Sequence, residues 1–282
     1  MLELAASLNR ATPELMWIAA VGLNSQWTDK LITIEAYTDV CYNRMRPFIH
    51  KFSPRSAPKA NDLLRVSFDK ELPLAMYPHW SLYRAMMVNE HFACKTKNWT
   101  QKGDSDVKHL LANLGLTLNE TKQKFEAMSS NRKKEVTDTL EKEMASSFAS
   151  FIAHLGYCNR VNAADVARGV AARLETPRKQ PLLERFESAQ SVLLSFMDGT
   201  GDFMQMLKTF ELYKANSDIV ESRHFLFSFA HFLLRAFAVL RRGRTARPLI
   251  ITFPLGGDMQ GWNLVTGVMP LNTVYEDNHQ KR

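Results

Sequence analysis

Helix punctuation recurs along this chain and constrains it to a fold built mainly from α-helices. Thr12 and Pro13 supply an N-cap and a proline whose φ is already helical, ahead of an apolar stretch through Leu15, Trp17, Ile18 and Val21 towards Trp27. Thr117 and Glu120 form a T-x-x-E capping box. Asn162 caps a helix that must stop before Pro177, and Pro181 opens another through Leu182, Leu183, Phe186, Val192 and Phe196.

Residues 2–9 read as the tail of a helix, and residues 29–39 either continue the helix that follows Pro13 or begin another. A helix starting at Pro78 carries Trp80, Tyr83, Met86 and Met87. Gly103 marks a turn, Asp104 caps a helix closed by Gly115, and the capping-box helix presents Phe125 and Met128. Residues 132–144 read as a charged, solvated helix, and residues 148–154 as a short apolar one ended by Gly156. Further helices are expected over residues 203–213 and 219–240. Strand signals are few: residues 64–68, and residues 249–253 with 262–268, which read as a β-hairpin around Gly256, Gly257 and Gly261.

Composition bounds the class. The 282 residues are 45% hydrophobic and 10% aromatic, enough for a substantial core. Cys41, Cys94 and Cys158 are widely spaced and odd in number, which favours a reducing compartment. The N-terminus has no basic run of the kind that opens a cleaved signal peptide. The most apolar run, residues 225–240, is broken by His231 and Arg235 and falls short of the roughly 20 residues a bilayer requires. It reads as a core helix, and no membrane role is expected.

Chemical motifs are missing. There is no P-loop and no G-x-G-x-x-G, and the G-T-G at 199–201 follows a helix, not a strand. His91 and Cys94 have helical spacing but no second ligand pair to complete a zinc site. His224 and His231 sit among Phe and Leu, as core histidines do. No G-x-S-x-G elbow is present. No enzyme activity, catalytic residue, metal or cofactor is expected.

The sharpest polar feature is Arg241, Arg242, Arg244 and Arg247, which hold much of the local charge in a chain of net charge +7. The cluster follows a long helix, where arginines oppose the negative end of the helix dipole; the alternatives are a nucleic-acid or partner contact and a nuclear-import patch. Trp17, Trp27, Trp80 and Trp99 invite the idea of a stacking platform for single strands, but they fall in helical patterns. Trp17, Trp27, Trp80, Phe125 and Phe229 are therefore expected as core anchors.

Several ordered segments resemble one family, that of cell division control protein 45. They are L-M-W-I-A-A-V-G-L-N-S-Q-W (15–27), Y-T-D-V (37–40), R-V-S-F-D-K-E-L-P-L (65–74), Y-P-H-W-S-L (77–82) and L-G-L…K-Q-K-F-E-A-M (114–128). A-A-D-V (163–166), S-F-A-H-F-L-L-R-A-F (228–237) and P-L-I-I-T-F-P-L…V-T-G-V (248–268) continue the order. The resemblance implies a first domain like RecJ-type DHH phosphoesterases, a helical insertion and a smaller α/β domain. On that pattern residues 1–45 are the helical end of a DHH-like domain, 46–62 a flexible loop rich in proline, and 63–177 the helical insertion. Residues 178–270 are a partial C-terminal α/β domain of DHHA type, and 271–282 a disordered tail. The expected fold class is mainly α, with a multi-helix core from the insertion and a C-terminal β-hairpin.

The resemblance also implies a role. Family members join the MCM ring and the GINS complex to form the CMG helicase in the nucleus, where it serves initiation and elongation of eukaryotic DNA replication. This chain would be a non-catalytic scaffold in that assembly. It departs from the family pattern in lacking the α/β stretch that would hold DHH-type motifs, in a short region between Tyr213 and Arg223, and in ending soon after the hairpin. Two alternatives stand beside the scaffold: a weak single-stranded nucleic-acid-binding module, and a degenerate DHH-family phosphoesterase fragment.

Overall fold

The computed structural model describes residues 2–29, 31–52, 64–98, 100–144, 148–155, 159–175, 180–197, 223–240, 248–254 and 260–269. Helix α1 (Leu2–Ser7) leads to α2 (Pro13–Thr28), whose N-terminus is held as the sequence predicts: the Thr12 hydroxyl accepts the Leu15 amide and Pro13 sits in the first turn. Thr33 caps α3 (Ile34–Asp39) in the same way. The helix then widens into a π-turn, Val40–Met45, and resumes as α4 (Arg46–Phe52).

That last helix corrects the expected loop over 46–62. Residues 46–52 are helical and Ile49 is buried, while residues 53–62 lie outside the described residues. Pro47 has no N–H to donate and would normally break a helix. Here the π-turn precedes it, with the Arg46 amide reaching back five residues to the Cys41 carbonyl, so the ladder is already opened where the proline enters.

Strand β1 (Arg65–Glu71) pairs antiparallel with β2 (Phe148–Leu155), and β2 with β3 (Asn159–Asn162), giving the order β1-β2-β3. Residues 148–154 were expected to be helical and are the central strand instead. Successive strand side chains point to opposite faces, yet Phe151, Ile152 and Ala153 are all buried. Both faces are covered there, so the alternation that marks a strand is erased.

Helices α5 (Leu82–Val88), α6 (Glu90–Thr96), α7 (Gln101–Asn113) and α8 (Leu118–Lys122) follow β1 in sequence. Gly103 lies inside the first turn of α7, not in a turn between elements. Gly115, at φ +71, ends the helix region as expected. The capping box forms: the Thr117 hydroxyl accepts the Glu120 amide and the Glu120 carboxylate accepts the Thr117 amide at 2.8 Å. Its helix is short, so Phe125 falls in a separate 3₁₀ turn, Phe125–Ala127, and Met128 just beyond it. The charged helix α9 (Ser130–Met144) buries Val136, Leu140 and Met144.

Helix α10 (Ala163–Glu175) packs against α2 and α11 (Leu182–Met197). Its buried positions include Ala163, Ala164, Ala167 and Ala172, small residues that let Met16, Trp17, Ala20 and Val21 of α2 come close. A fully buried side chain of leucine or methionine size contributes about 1.5–3 kcal/mol, so this helix pair is a principal source of stability. Helix α12 (Arg223–Leu240) and strands β4 (Leu249–Pro254) and β5 (Asn263–Val268) complete the described chain. The fold is mainly α, with the C-terminal hairpin expected from sequence.

Contacts divide the chain into two compact units, one of residues 1–86 and 108–215, the other of residues 87–107 and 216–282. The boundaries fall within α5 and α7. No helix among the described residues is long and apolar enough to cross a membrane.

Candidate functional site

Among the described residues, buried polar groups gather in the first unit around the turn that joins β1 to α5. Leu72, Leu74, Met76, Tyr77, Trp80 and Ser81 are all buried there. Trp80 belongs to this turn, ahead of α5, and not to the helix expected from Pro78. Met76 has φ +55, a left-handed conformation that is costly for a side-chain-bearing residue. The cost is offset by anchoring: the Met76 amide donates to Asp165 Oδ1 of α10 at 2.8 Å. Arg168, one turn along α10, donates to the same oxygen at 3.0 Å.

A second carboxylate faces the turn from the end of β1. Glu71 accepts the Tyr77 hydroxyl at 2.6 Å and pairs with Arg160 of β3. The Tyr77 ring meets Phe125 edge-on at 5.1 Å, a geometry that aromatic quadrupoles favour. Backbone bonds fasten the same segment: Phe125 donates to the Trp80 carbonyl at 3.1 Å and Glu126 to the Pro78 carbonyl at 3.3 Å. Glu126 also lies 3.7 Å from His79.

Burial dominates the electrostatics. It pushes the Asp165 carboxyl up, against the opposing pull of Arg168 and the Met76 amide. Glu71 is raised for the same reason, with Arg160 and Tyr77 pulling down and Asp165 adding repulsion. Tyr77 is raised by burial and by the Glu71 charge, so its hydroxyl stays a donor. Burial depresses His79, although Glu126 and Asp165 favour its charged form.

Behind the central strand lies a neutral network. Ser150 donates to Asn24 Oδ1 at 3.1 Å or to Asn162 Oδ1 at 3.0 Å, the Tyr37 hydroxyl lies 3.2 Å from Asn24 Oδ1 and 3.0 Å from the Ala149 carbonyl, and Asn162 caps α10 through the Ala164 amide at 2.8 Å. Cys41 is buried beside Tyr37, and burial pushes its thiol up to about 12.

These groups are bonded to one another and to the backbone and hold the chain together. Ser67, His154 and Asp69 look at first like a nucleophilic triad, since Ser67 Oγ lies 3.1 Å from His154 Nε2. A triad needs the histidine to accept the serine proton. Ser67 instead sits 2.6 Å from Asp69 Oδ2, which can only accept, so its single proton goes there and His154 must donate. Among the described residues no group of three or more His, Cys, Asp and Glu side chains is placed to share a metal ion.

The residues singled out from sequence are distributed widely. Trp17, Trp80 and Phe125 are buried, while Trp27 and Phe229 are partly buried; Trp27 packs on the Tyr37 ring at 5.7 Å. His91 and Cys94 share α6, beside the 3.2 Å ion pair of Glu90 with Arg235. Arg241, Arg242, Arg244 and Arg247 lie outside the described residues. Sequence reasoning missed Glu71, Arg160, Asp165 and Arg168. A signal existed for one of them: Asp165 is the lone acid in A-A-D-V-A, where a solvated carboxylate would not be expected.

A family model described as CDC45 matches residues 1–223. The human cell division control protein 45 homolog is 31% identical over 191 residues, covering 64% of this chain and 33% of the relative. The Dictyostelium discoideum homolog is 25% identical over 210 residues, covering 62% and 33% respectively. The chain thus spans about a third of the length of these curated relatives. The crystal structure of CDC45 from Entamoeba histolytica superposes with a TM-score of 0.65 at 17% identity, covering 89% of this chain and 57% of that one. That likeness is one of fold.

Proposed function

The chain belongs to the CDC45 family, and on that premise we propose that it is a non-catalytic scaffold of DNA replication that works through protein contacts in the nucleus. The observation that carries this reading is the family match over residues 1–223. Its partners are the MCM ring and the GINS complex, and its part is to help form the CMG helicase. The chemistry of the first unit supports a scaffold: Glu71, Asp165, Arg160 and Arg168 are engaged with one another and with the backbone, and they stiffen the turn at residues 72–81.

The domain assignment belongs to the same proposal: residues 1–45 as the end of a DHH-like domain, 63–177 as the helical insertion and 178–270 as part of a DHHA-like domain.

The test is co-purification. Tagged full-length chain, shown to be folded by circular dichroism, is expected to retain GINS and MCM subunits through stringent washing. Folded chain that retains neither would overturn the scaffold reading.

A further inference from the structure

Three basic side chains stand in one row across the three-stranded sheet. Arg65 of β1 is directly opposite His154 of β2, and His154 is directly opposite Arg160 of β3. Directly opposed residues project from the same face, so the row spans two strand spacings, about 10 Å. The next row, Val66, Ala153 and Val161, points the other way and is buried. The basic row is on the open side: Arg65 and Arg160 are exposed and His154 is partly exposed.

Like charges directly opposite one another destabilise a sheet, so a row of this kind carries a cost. Two acids approach it without balancing it. Arg160 pairs with Glu71, but its side chain is 45% exposed, and a guanidinium has five N–H donors to give. Asp69 accepts the Ser67 hydroxyl at 2.6 Å. Arg65 makes no ion pair among the described residues. At His154 the repulsion from Arg160 and that from Arg65 each outweigh the attraction of Asp69.

We propose that Arg65, His154 and Arg160 form a docking site for a single phosphoryl group, carried on a phosphoserine or phosphothreonine of a partner protein. Two guanidiniums on either side of a ring N–H offer planar, forked donors to a tetrahedral anion. A phosphomonoester brings close to two negative charges at neutral pH, enough to offset both arginines, where a carboxylate brings one. A nucleic-acid backbone needs a longer track of cations, and along β1 the same face continues into Ser67 and then the acid Asp69. The choice of a protein as carrier rests on the scaffold reading above; the phosphoryl site itself rests on the row.

An NMR titration of the full chain with N-acetyl-phosphoserine amide tests this, read at the His154 imidazole, which is identified by its loss in His154→Asn. A saturable shift is expected. The pH at which that imidazole titrates should also rise, because a bound anion favours the charged ring. N-acetylserine amide should give neither change. Arg65→Gln alters an exposed side chain and should weaken binding about tenfold or more. Arg44→Gln removes an arginine that is 60% exposed elsewhere and should leave binding as it is. The proposal is overturned if phosphoserine gives no saturable shift, if the unphosphorylated compound matches it, or if the two arginine variants behave alike. It is equally overturned by an oligothymidylate that saturates His154 at a lower concentration than phosphoserine, which would assign the row to nucleic acid. None of these readouts depends on retention of GINS or MCM subunits, so this site and the scaffold reading fail separately.

Discussion

Asp165 occupies a position where a carboxylate is costly unless it is fully used. Its side chain is 3% exposed and the Arg168 side chain 16%. Taking charges out of water is expensive, and the mutual attraction recovers that cost only when the remaining groups are also satisfied. Here the second donor is the Met76 amide, so the one carboxylate neutralises a cation and fixes a left-handed turn residue. Asp165→Ala strands both the Arg168 charge and that amide. It should lower the free energy of unfolding by about 3–5 kcal/mol, read from the shift in the denaturation midpoint. Adding Arg168→Met to that variant should recover part of the loss, because the orphaned charge goes with it. A loss below 1 kcal/mol would mean that the pair is solvated and the turn is held by something else.

At the scale of elements, two glycines give predictions of opposite sign. Gly22 lies in α2 with nothing within 4 Å of where a Cβ would stand. Gly22→Ala should therefore stabilise the protein by about 0.5–1 kcal/mol, the ordinary helical gain. Gly103 also lies in a helix, but a Cβ there would collide with the backbone carbonyl of Lys97. The chain folds back tightly at that point: Lys97 is left-handed, and Thr100 bonds both the Lys97 carbonyl at 2.9 Å and the Gly103 amide at 3.0 Å. Gly103→Ala should cost about 1–3 kcal/mol as the turn shifts to make room. Equal effects of the two substitutions in thermal melts would refute the close approach. The same contrast shows what the sequence could and could not disclose. Caps are local chemistry, so Thr12, Thr117 with Glu120, and Asn162 were legible where they stand. Gly103 looked like punctuation because its reason, the Lys97 carbonyl, is a spatial neighbour that no local pattern marks. The helix expected over residues 148–154 failed for a related reason: a short apolar run bounded by glycine suits a buried helix or a doubly covered strand equally well.

At the scale of the whole molecule, the family and the mainly α class were legible because both depend on many residues spread along the chain. The buried ionic site was not, because Glu71, Asp165 and Arg160 are brought together only by β1, α10 and β3. Their combined titration should be visible in global stability. Burial depresses His79 and His154, and Arg160 and Arg65 press His154 further down. A depressed histidine contributes stability above its unfolded value near 6.5, and that contribution is lost as pH falls through the folded value. Glu71 and Asp165 are raised, so their contribution runs the other way. It is complete below their unfolded values of roughly 4 and is lost as pH rises through the folded ones. Lowering the pH from about 7.5 to 4 takes both histidines through their unfolded value and brings both carboxylates down to theirs. The denaturant midpoint of the wild type should fall across this interval. His154→Asn removes a group that drives the fall, so its midpoint should drop less. Asp165→Asn removes a group that opposes it, so its midpoint should drop more. Two variants that change the drop in the same direction would show that these groups do not govern the acid sensitivity of the fold.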